Sequence, residues 1–197
     1  DRALLLDFQA TLETKPEKAI KLEKDALAQI ETITVDNARL VSNLHANLGG
    51  LYRMNGHPDL AREHMEKSIS LLDQFNLLHI NDSIPQIANY AMFLTEQQEP
   101  ERGISELQKL SGIIKEYHSD HCLDYAKVQE TLGTIYLMTA NLPQAKTHFK
   151  RAFKIYEKIW TDEPEMIEAK YQEIQELYPQ VGFFLGQQLS DFLTKQT

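Results

Sequence analysis

The segment His118-Ser119-Asp120-His121-Cys122 gathers the residue types of metal and nucleophilic chemistry within five positions. Imidazole, carboxylate and thiolate are zinc ligands, and a thiol beside a histidine can start a nucleophilic site. A metal site would need a second ligand cluster of matching spacing, and a nucleophile would need an oxyanion loop or a phosphate cradle. The sequence offers neither. We therefore interpret the segment as a link between helices, Cys122 as a linker thiol, and predict no metal and no cofactor.

Paired carboxylates are the other candidates for chemistry. Glu163 with Glu165, and Glu173 with Glu176, could serve as general acid and base. Such pairs on a helix are more typical of a solvated face. We predict that the protein is not an enzyme and has no catalytic residues.

The helices of the chain are best recognised between Asp124 and Trp160, where residues of particular size recur at fixed spacing. These residues are Leu132, Gly133, Tyr136, Ala145, Phe149 and Ala152. Two antiparallel helices approach closely only where one presents no bulk, so we expect Gly133 and Ala145 to lie at the contact. Pro143, which is tolerated in the first turn of a helix, marks where the second helix begins.

The pattern recurs when the chain is shifted by 42 residues. The position of Leu132 is taken by Tyr90, Leu48 and Leu6, and that of Ala145 by Gly103, Ala61 and Ala19. The turn prolines Pro16, Pro58 and Pro100 share one register. Four repeated helix pairs are therefore predicted.

The spacing L-G-x2-Y followed by A-x3-F-x2-A resembles the tetratricopeptide repeat family. The usual period of that family is roughly 34 residues, and the longer period found here is similar to the arrays of kinesin light chains. HEAT and armadillo repeats run roughly 40 to 47 residues but lack this pattern. The resemblance implies an all-α fold, a right-handed α-α superhelix of stacked antiparallel helix pairs.

We predict a single array over residues 1–197, with repeats at about 1–36, 38–76, 83–117 and 123–160. The helices are expected at Arg2–Thr14, Glu17–Ile33, Ala38–Asn55, Asp59–Phe75, Ser83–Gln97, Glu101–Tyr117, Leu123–Ala140, Gln144–Trp160 and Glu165–Tyr178. Asp36 or Asn37 is a candidate N-cap. Asp7 stands where later repeats have small residues, which indicates an end position or a preceding repeat. The chain starts at Asp1 without methionine, so we expect a fragment of a longer protein.

Residues 165–195 are expected to form helices that cap the array. Within them Val181–Lys195 places its apolar side chains at roughly helical spacing, and a solenoid must cover the apolar face of its last repeat. The alternative is a helix that binds a partner or dimerises.

Composition excludes several classes of partner. A net charge of -9 over 197 residues argues against direct nucleic-acid binding, which needs a basic face. No apolar run approaches the roughly 20 residues of a spanning helix, and we expect no signal peptide. A single cysteine fits a reducing compartment, so we predict a cytoplasmic protein. The oligomeric state is left open.

The resemblance also implies a binding surface, because the first helices of such repeats line a concave groove that holds peptides. The predicted groove residues are Asn43, Ala46, Asn47, Gly50, Arg53, Asn89, Met92, Glu96, Lys127, Glu130, Thr131, Thr134 and Met138. Asn47 and Asn89 share a register, and in kinesin light chain arrays asparagines recur there, which implies that they grip a peptide backbone.

Two functions follow as hypotheses. The first is a non-enzymatic protein-protein interaction scaffold that binds a peptide or partner protein in the concave groove. The second is a ligand- or peptide-sensing regulatory segment of a larger signalling or transcription-regulator protein, by analogy at the level of the fold.

Overall fold

A computed structural model of the protein describes residues 2–80, 83–179 and 186. Over these residues the chain forms nine α-helices and no strand. The helices are α1 Arg2–Leu12, α2 Pro16–Leu27, α3 Val35–Met54, α4 Pro58–Gln74, α5 Ser83–Glu96, α6 Pro100–Tyr117, α7 Leu123–Met138, α8 Leu142–Ile159 and α9 Pro164–Leu177. The predicted all-α class is confirmed.

Helices adjacent in sequence pack as pairs. Helix α1 packs on α2, α3 on α4, and α7 on α8, and each of these pairs is one predicted repeat. Helix α2 also contacts α3, α6 contacts α7, and α8 contacts α9, so second helices meet the first helix of the next repeat. This is the stacking of helix pairs that the 42-residue period predicts.

The chain divides into two compact units, which are described separately. The amino-terminal unit is Asp1–Leu94 and the carboxy-terminal unit is Thr95–Thr197. A core cluster of the first unit combines α3, α4 and α5, with Leu48, Tyr52, Ala61, Met65, Tyr90, Phe93 and Leu94. In the second unit the largest fully buried side chains are Leu107, Leu110, Ile114, Leu132, Phe149, Phe153 and Tyr156.

Glycines allow the paired helices to approach each other. A Cβ on Gly133 would lie 2.8 Å from two ring carbons of Phe149, and one on Gly49 would lie 2.6 Å from Cγ of Met65. Both distances are too short for a real side chain. The close contact predicted for Gly133 is present, and the group that fills it is Phe149.

The turns inside the repeats share one backbone geometry. Gly56, Gln98 and Ala140, which are 42 residues apart, have φ values of 74°, 63° and 58°. The following amide closes the helix end: Asn141 N–H donates to the Tyr136 carbonyl at 2.7 Å. Such a left-handed residue is a common way to end a helix. Proline at the first or second position of α4, α6 and α8 then starts the next helix, as predicted.

The main departure from the predicted bounds lies after α2. This helix ends at Leu27, whereas the sequence predicted Ile33. Residues Thr32 to Thr34 are all β-branched, which disfavours helix. The N-cap of α3 is Thr34, not Asp36 or Asn37. Asn37 contributes to the same cap, since its Oδ1 accepts a hydrogen bond from Thr34 N–H at 2.8 Å. The predicted capping helix at Val181–Lys195 lies outside the described residues except for Gly186.

Candidate functional site

First helices of the amino-terminal unit surround an open cavity of about 310 Å³. Its lining residues are Asp7 and Thr11 of α1, Asn43, Ala46 and Asn47 of α3, and Pro85, Gln86 and Asn89 of α5. Three predicted groove asparagines, Asn43, Asn47 and Asn89, therefore lie around one space. We call this space the asparagine cavity.

The amide of Asn47 is engaged within the protein. Its Nδ2 donates to Asp7 Oδ1 and to Glu23 Oε1, both at 3.0 Å. An amide nitrogen has two donor protons, so both are used. Only the carbonyl oxygen of Asn47 remains to accept a hydrogen bond from a ligand.

Asp7 and Glu23 form a carboxyl pair whose members both accept from the amide of Asn47. Glu23 is 1% exposed, whereas Asp7 is half-buried. Burial raises the pKa of Glu23 to about 8, and the negative charge of Asp7 adds to the effect. The pKa of Asp7 is also raised, mainly by burial. Glu23 Oε2 is buried and has no hydrogen-bond partner among the described residues, which favours the neutral form of this carboxyl group.

The pair replaces an apolar contact of the repeat. In the 42-residue register Asp7 stands at the position of Gly133, and Glu23 at the position of Phe149. The sequence interpretation noticed the carboxylate at position 7 but missed its partner. The signal was present, because Ala19 and Glu23 have the spacing of Ala145 and Phe149.

A buried polar network fixes the other side of the asparagine cavity. Gln86 Nε2 donates to Asn43 Oδ1 at 2.6 Å, while Gln86 Oε1 accepts from Ser42 Oγ at 2.8 Å and from Ser68 Oγ at 2.6 Å. Asn43 therefore keeps its own N–H groups for a ligand. Asn89 is exposed and makes no hydrogen bond within the described residues.

An apolar surface borders the polar one on α1. Leu5, Phe8 and Leu12 are 56%, 60% and 67% exposed, and Leu4 is also exposed. In register Leu5 corresponds to Asn47, and Phe8 to the predicted groove position Gly50. The sequence interpretation began the groove at the second repeat and missed these residues, although the same register points to them.

The remaining groove residues predicted in the second and third repeats do not line the cavity. Arg53 and Met92 are half-buried, and Glu96, which belongs to the carboxy-terminal unit, is exposed.

The residues predicted in the fourth repeat divide into exposed and internal ones. Lys127 and Met138 are exposed, and Thr131 is half-buried. Thr134 is buried, and its hydroxyl donates to the Glu130 carbonyl at 3.1 Å.

The carboxylate of Glu130 is engaged inside the carboxy-terminal unit. It accepts from the Tyr156 hydroxyl at 2.6 Å and pairs with Lys170 Nζ at 2.8 Å. Burial, together with this carboxylate, raises the pKa of Tyr156. Burial alone would lower the pKa of Lys170, but the attraction of Glu130 and Glu173 raises it. Glu130 thus joins α7 to α8 and α9.

The segment at His118 to Cys122 has structural contacts. Asp120 forms an ion pair with His121, and Cys122 Sγ accepts from Tyr125 N–H at 3.4 Å as the N-cap of α7. In the described part of the chain no group of three or more acidic, histidine or cysteine side chains could hold a metal ion. No helix among the described residues has both the length and the apolar character needed to cross a bilayer.

Paired helices whose first members line a shared cavity define the class of tetratricopeptide-type helical repeats. Residues 83–158 match the family model of the tetratricopeptide repeat. This segment carries the sequence signature of that family, and the predicted resemblance is confirmed over residues 83–158.

Two solved structures are similar over a larger part of the chain. The crystal structure of BtubC (BKLC) from P. vanneervenii has a TM-score of 0.73 and 18% identity, covering 98% of this chain and 76% of the other. The nearly identical TPR-like repeats of a putative kinesin light chain from Podospora anserina give a TM-score of 0.64 and 14% identity, covering 74% and 69%. At these identities the likeness shows the fold alone. No curated protein sequence matches the chain.

Proposed function

We propose that this chain is a non-enzymatic interaction scaffold, and that the first-helix face of its amino-terminal unit binds an extended peptide segment of a partner protein. The observation that carries the proposal is the asparagine cavity beside the exposed apolar residues of α1. Repeats of this class commonly bind peptides along their first helices.

The polar groups of the cavity suit a peptide backbone. Asn43 offers amide donors, Asn47 offers a carbonyl acceptor, and Asn89 offers both. A peptide unit carries one donor and one acceptor, so amide side chains can satisfy both without adding a charge.

The apolar residues of α1 offer exposed hydrophobic surface that a ligand side chain can bury. A ligand side chain packed on Phe8 and Leu12 would remove exposed apolar surface from water, which stabilises a complex by about 25 cal/mol per Å². We therefore expect a ligand that combines a hydrogen-bonded backbone with one or two apolar side chains.

The carboxyl pair has a structural role in this proposal. Glu23 of α2 is buried, and Asn47 of α3 donates both to it and to Asp7 of α1. The pair therefore holds α1, α2 and α3 together and supports the wall of the cavity.

Selection from a displayed library of random peptides tests the proposal. We expect micromolar ligands with apolar anchors, measured by fluorescence polarisation on the purified chain. Phe8→Asp and Asn89→Ala should each weaken their binding about tenfold or more, which is about 1.4 kcal/mol. The matched control is Lys21→Ala, an exposed residue of α2 that does not line the cavity.

Asn47 is a less suitable test residue, because its removal would also take a donor from Asp7 and from Glu23. Selected peptides that bind Phe8→Asp and Asn89→Ala as tightly as the wild type would exclude this face as the binding site.

A further inference from the structure

In a second cavity, which lies in the carboxy-terminal unit, half of the lining residues are cations although the protein is acidic. The volume of this cavity is about 350 Å³. Its lining residues are Lys115 of α6, Asp120 and His121 of the following link, Tyr125 of α7, and Arg151, Lys154, Ile155 and Lys158 of α8. Among these described residues there are four cations and one carboxylate, on a chain of net charge -9. We call it the basic cavity.

The charges of the basic cavity are arranged on rigid elements. Arg151, Lys154 and Lys158 follow the i, i+3, i+7 spacing of one face of α8. Arg151 is held in place, because its Nη1 donates to the oxygen of the buried Gln129 at 3.1 Å. Lys115 lies over the ring of Tyr125, with Nζ 5.2 Å from the ring centre.

Little negative charge within the protein balances this cluster. The carboxylate of Asp120 is engaged by His121. Lys154 and Lys158 form no ion pair within the described residues. Like charges one helical turn apart repel each other, which slightly destabilises the protein without a ligand. A bound anion would relieve this repulsion.

The cationic character is also particular to this repeat. One period earlier in the register, the four cationic positions are occupied by Asp73, Lys109, Gly112 and Glu116. A repeat fold therefore does not require cations at these positions.

We infer that the basic cavity is a binding site for a phosphoryl group. Three ammonium groups and an anchored guanidinium can surround a multiply charged anion, and lysine and arginine are the usual partners of phosphate oxygens. The inference does not depend on the proposed peptide site, because the two cavities share no residue.

The test measures binding of inorganic pyrophosphate to the full chain by isothermal titration calorimetry at low salt. We expect saturable binding that weakens as salt is added. The double variant Lys154→Gln with Lys158→Gln should raise the Kd at least about tenfold. The matched control, Lys150→Gln with Lys21→Gln, removes the same charge from exposed lysines outside the cavity and should leave the Kd within about twofold.

A second arm separates the two sources of a phosphoryl group. A phosphoserine peptide that binds more tightly than pyrophosphate would assign the site to a phosphorylated partner, and the reverse order would assign it to a free phosphorylated compound. The inference is overturned if pyrophosphate does not bind, if the control double variant weakens binding as much as the cavity variant, or if an unphosphorylated glutamate-rich peptide binds as well as either probe.

Discussion

At the scale of single residues, Glu23 occupies the position that Phe149 has in the fourth repeat, so a carboxyl group replaces an aromatic ring at a packed position. Burial of a carboxyl group at a packed position favours its neutral form, and Asn47 donates to Glu23 Oε1. The raised pKa of Glu23 makes the stability at this position sensitive to pH, whereas the contact between Gly133 and Phe149 depends on shape.

The raised pKa of Glu23 predicts that stability falls as the pH rises. The pKa is about 8 in the folded protein, against about 4.3 in an unfolded chain. Between these values the folded state holds a proton that the unfolded state has lost, so the free energy of unfolding decreases with increasing pH. Glu23→Gln, which keeps a carbonyl oxygen to accept from Asn47, should remove the part of this dependence that Glu23 contributes. At pH 8 the variant should be more stable than the wild type by up to about 5 kcal/mol.

Urea unfolding at pH 5 and pH 8 measures the effect. Glu17→Gln makes the same chemical change at an exposed position of the same helix and should keep the wild-type pH dependence. A wild-type protein that gains stability from pH 5 to pH 8, with Glu23→Gln showing the same gain, would contradict the raised pKa of Glu23.

At the scale of elements, a pair of helices meets through one small and one large side chain. A Cβ at Gly133 would overlap the ring of Phe149, whereas a Cβ at Gly112 of α6 would meet no atom within 4 Å. The same substitution at these two helical glycines should therefore have opposite effects.

Gly133→Ala should lower the free energy of unfolding by about 1 to 3 kcal/mol, because Phe149 must move from its packed position. Gly112→Ala should raise it by roughly 0.5 to 1 kcal/mol, because alanine loses less backbone entropy in a helix. Thermal and denaturant unfolding measure both. Equal changes in the two variants would show that the contact between α7 and α8 is not limited by space.

At the scale of the whole molecule, each compact unit has its own buried cluster. In a repeat protein each helix pair contacts only its neighbours, so damage stays close to where it is made. Phe149 is fully buried and belongs to the carboxy-terminal unit.

Phe149→Ala should cost about 3 to 5 kcal/mol through the cavity that it leaves. We expect amide hydrogen exchange to accelerate in α7, α8 and α9, with protection in α1 to α4 close to that of the wild type. Loss of protection spread evenly over both units would show that the chain unfolds as one cooperative body.

The repeat spacing alone was sufficient to predict the helix pairs, their order and the residues at their closest contacts. These features depend on local periodicity and on residue size, which are properties of a linear sequence. Gly133 and Pro143 are examples, because the first permits close packing by its small size and the second starts a helix through its own backbone. The 42-residue shift then shows where the same features recur.

The structure alone decided which polar side chains are available to a ligand. Asn47 and Glu130 have the register of groove residues, yet Asn47 donates to Asp7 and Glu23, and Glu130 accepts from Tyr156 and Lys170. The partners in these contacts lie between 24 and 40 residues apart. A hydrogen bond depends on distances of a few tenths of an ångström, which are set only when the helices are packed, so no spacing rule in the sequence could assign it.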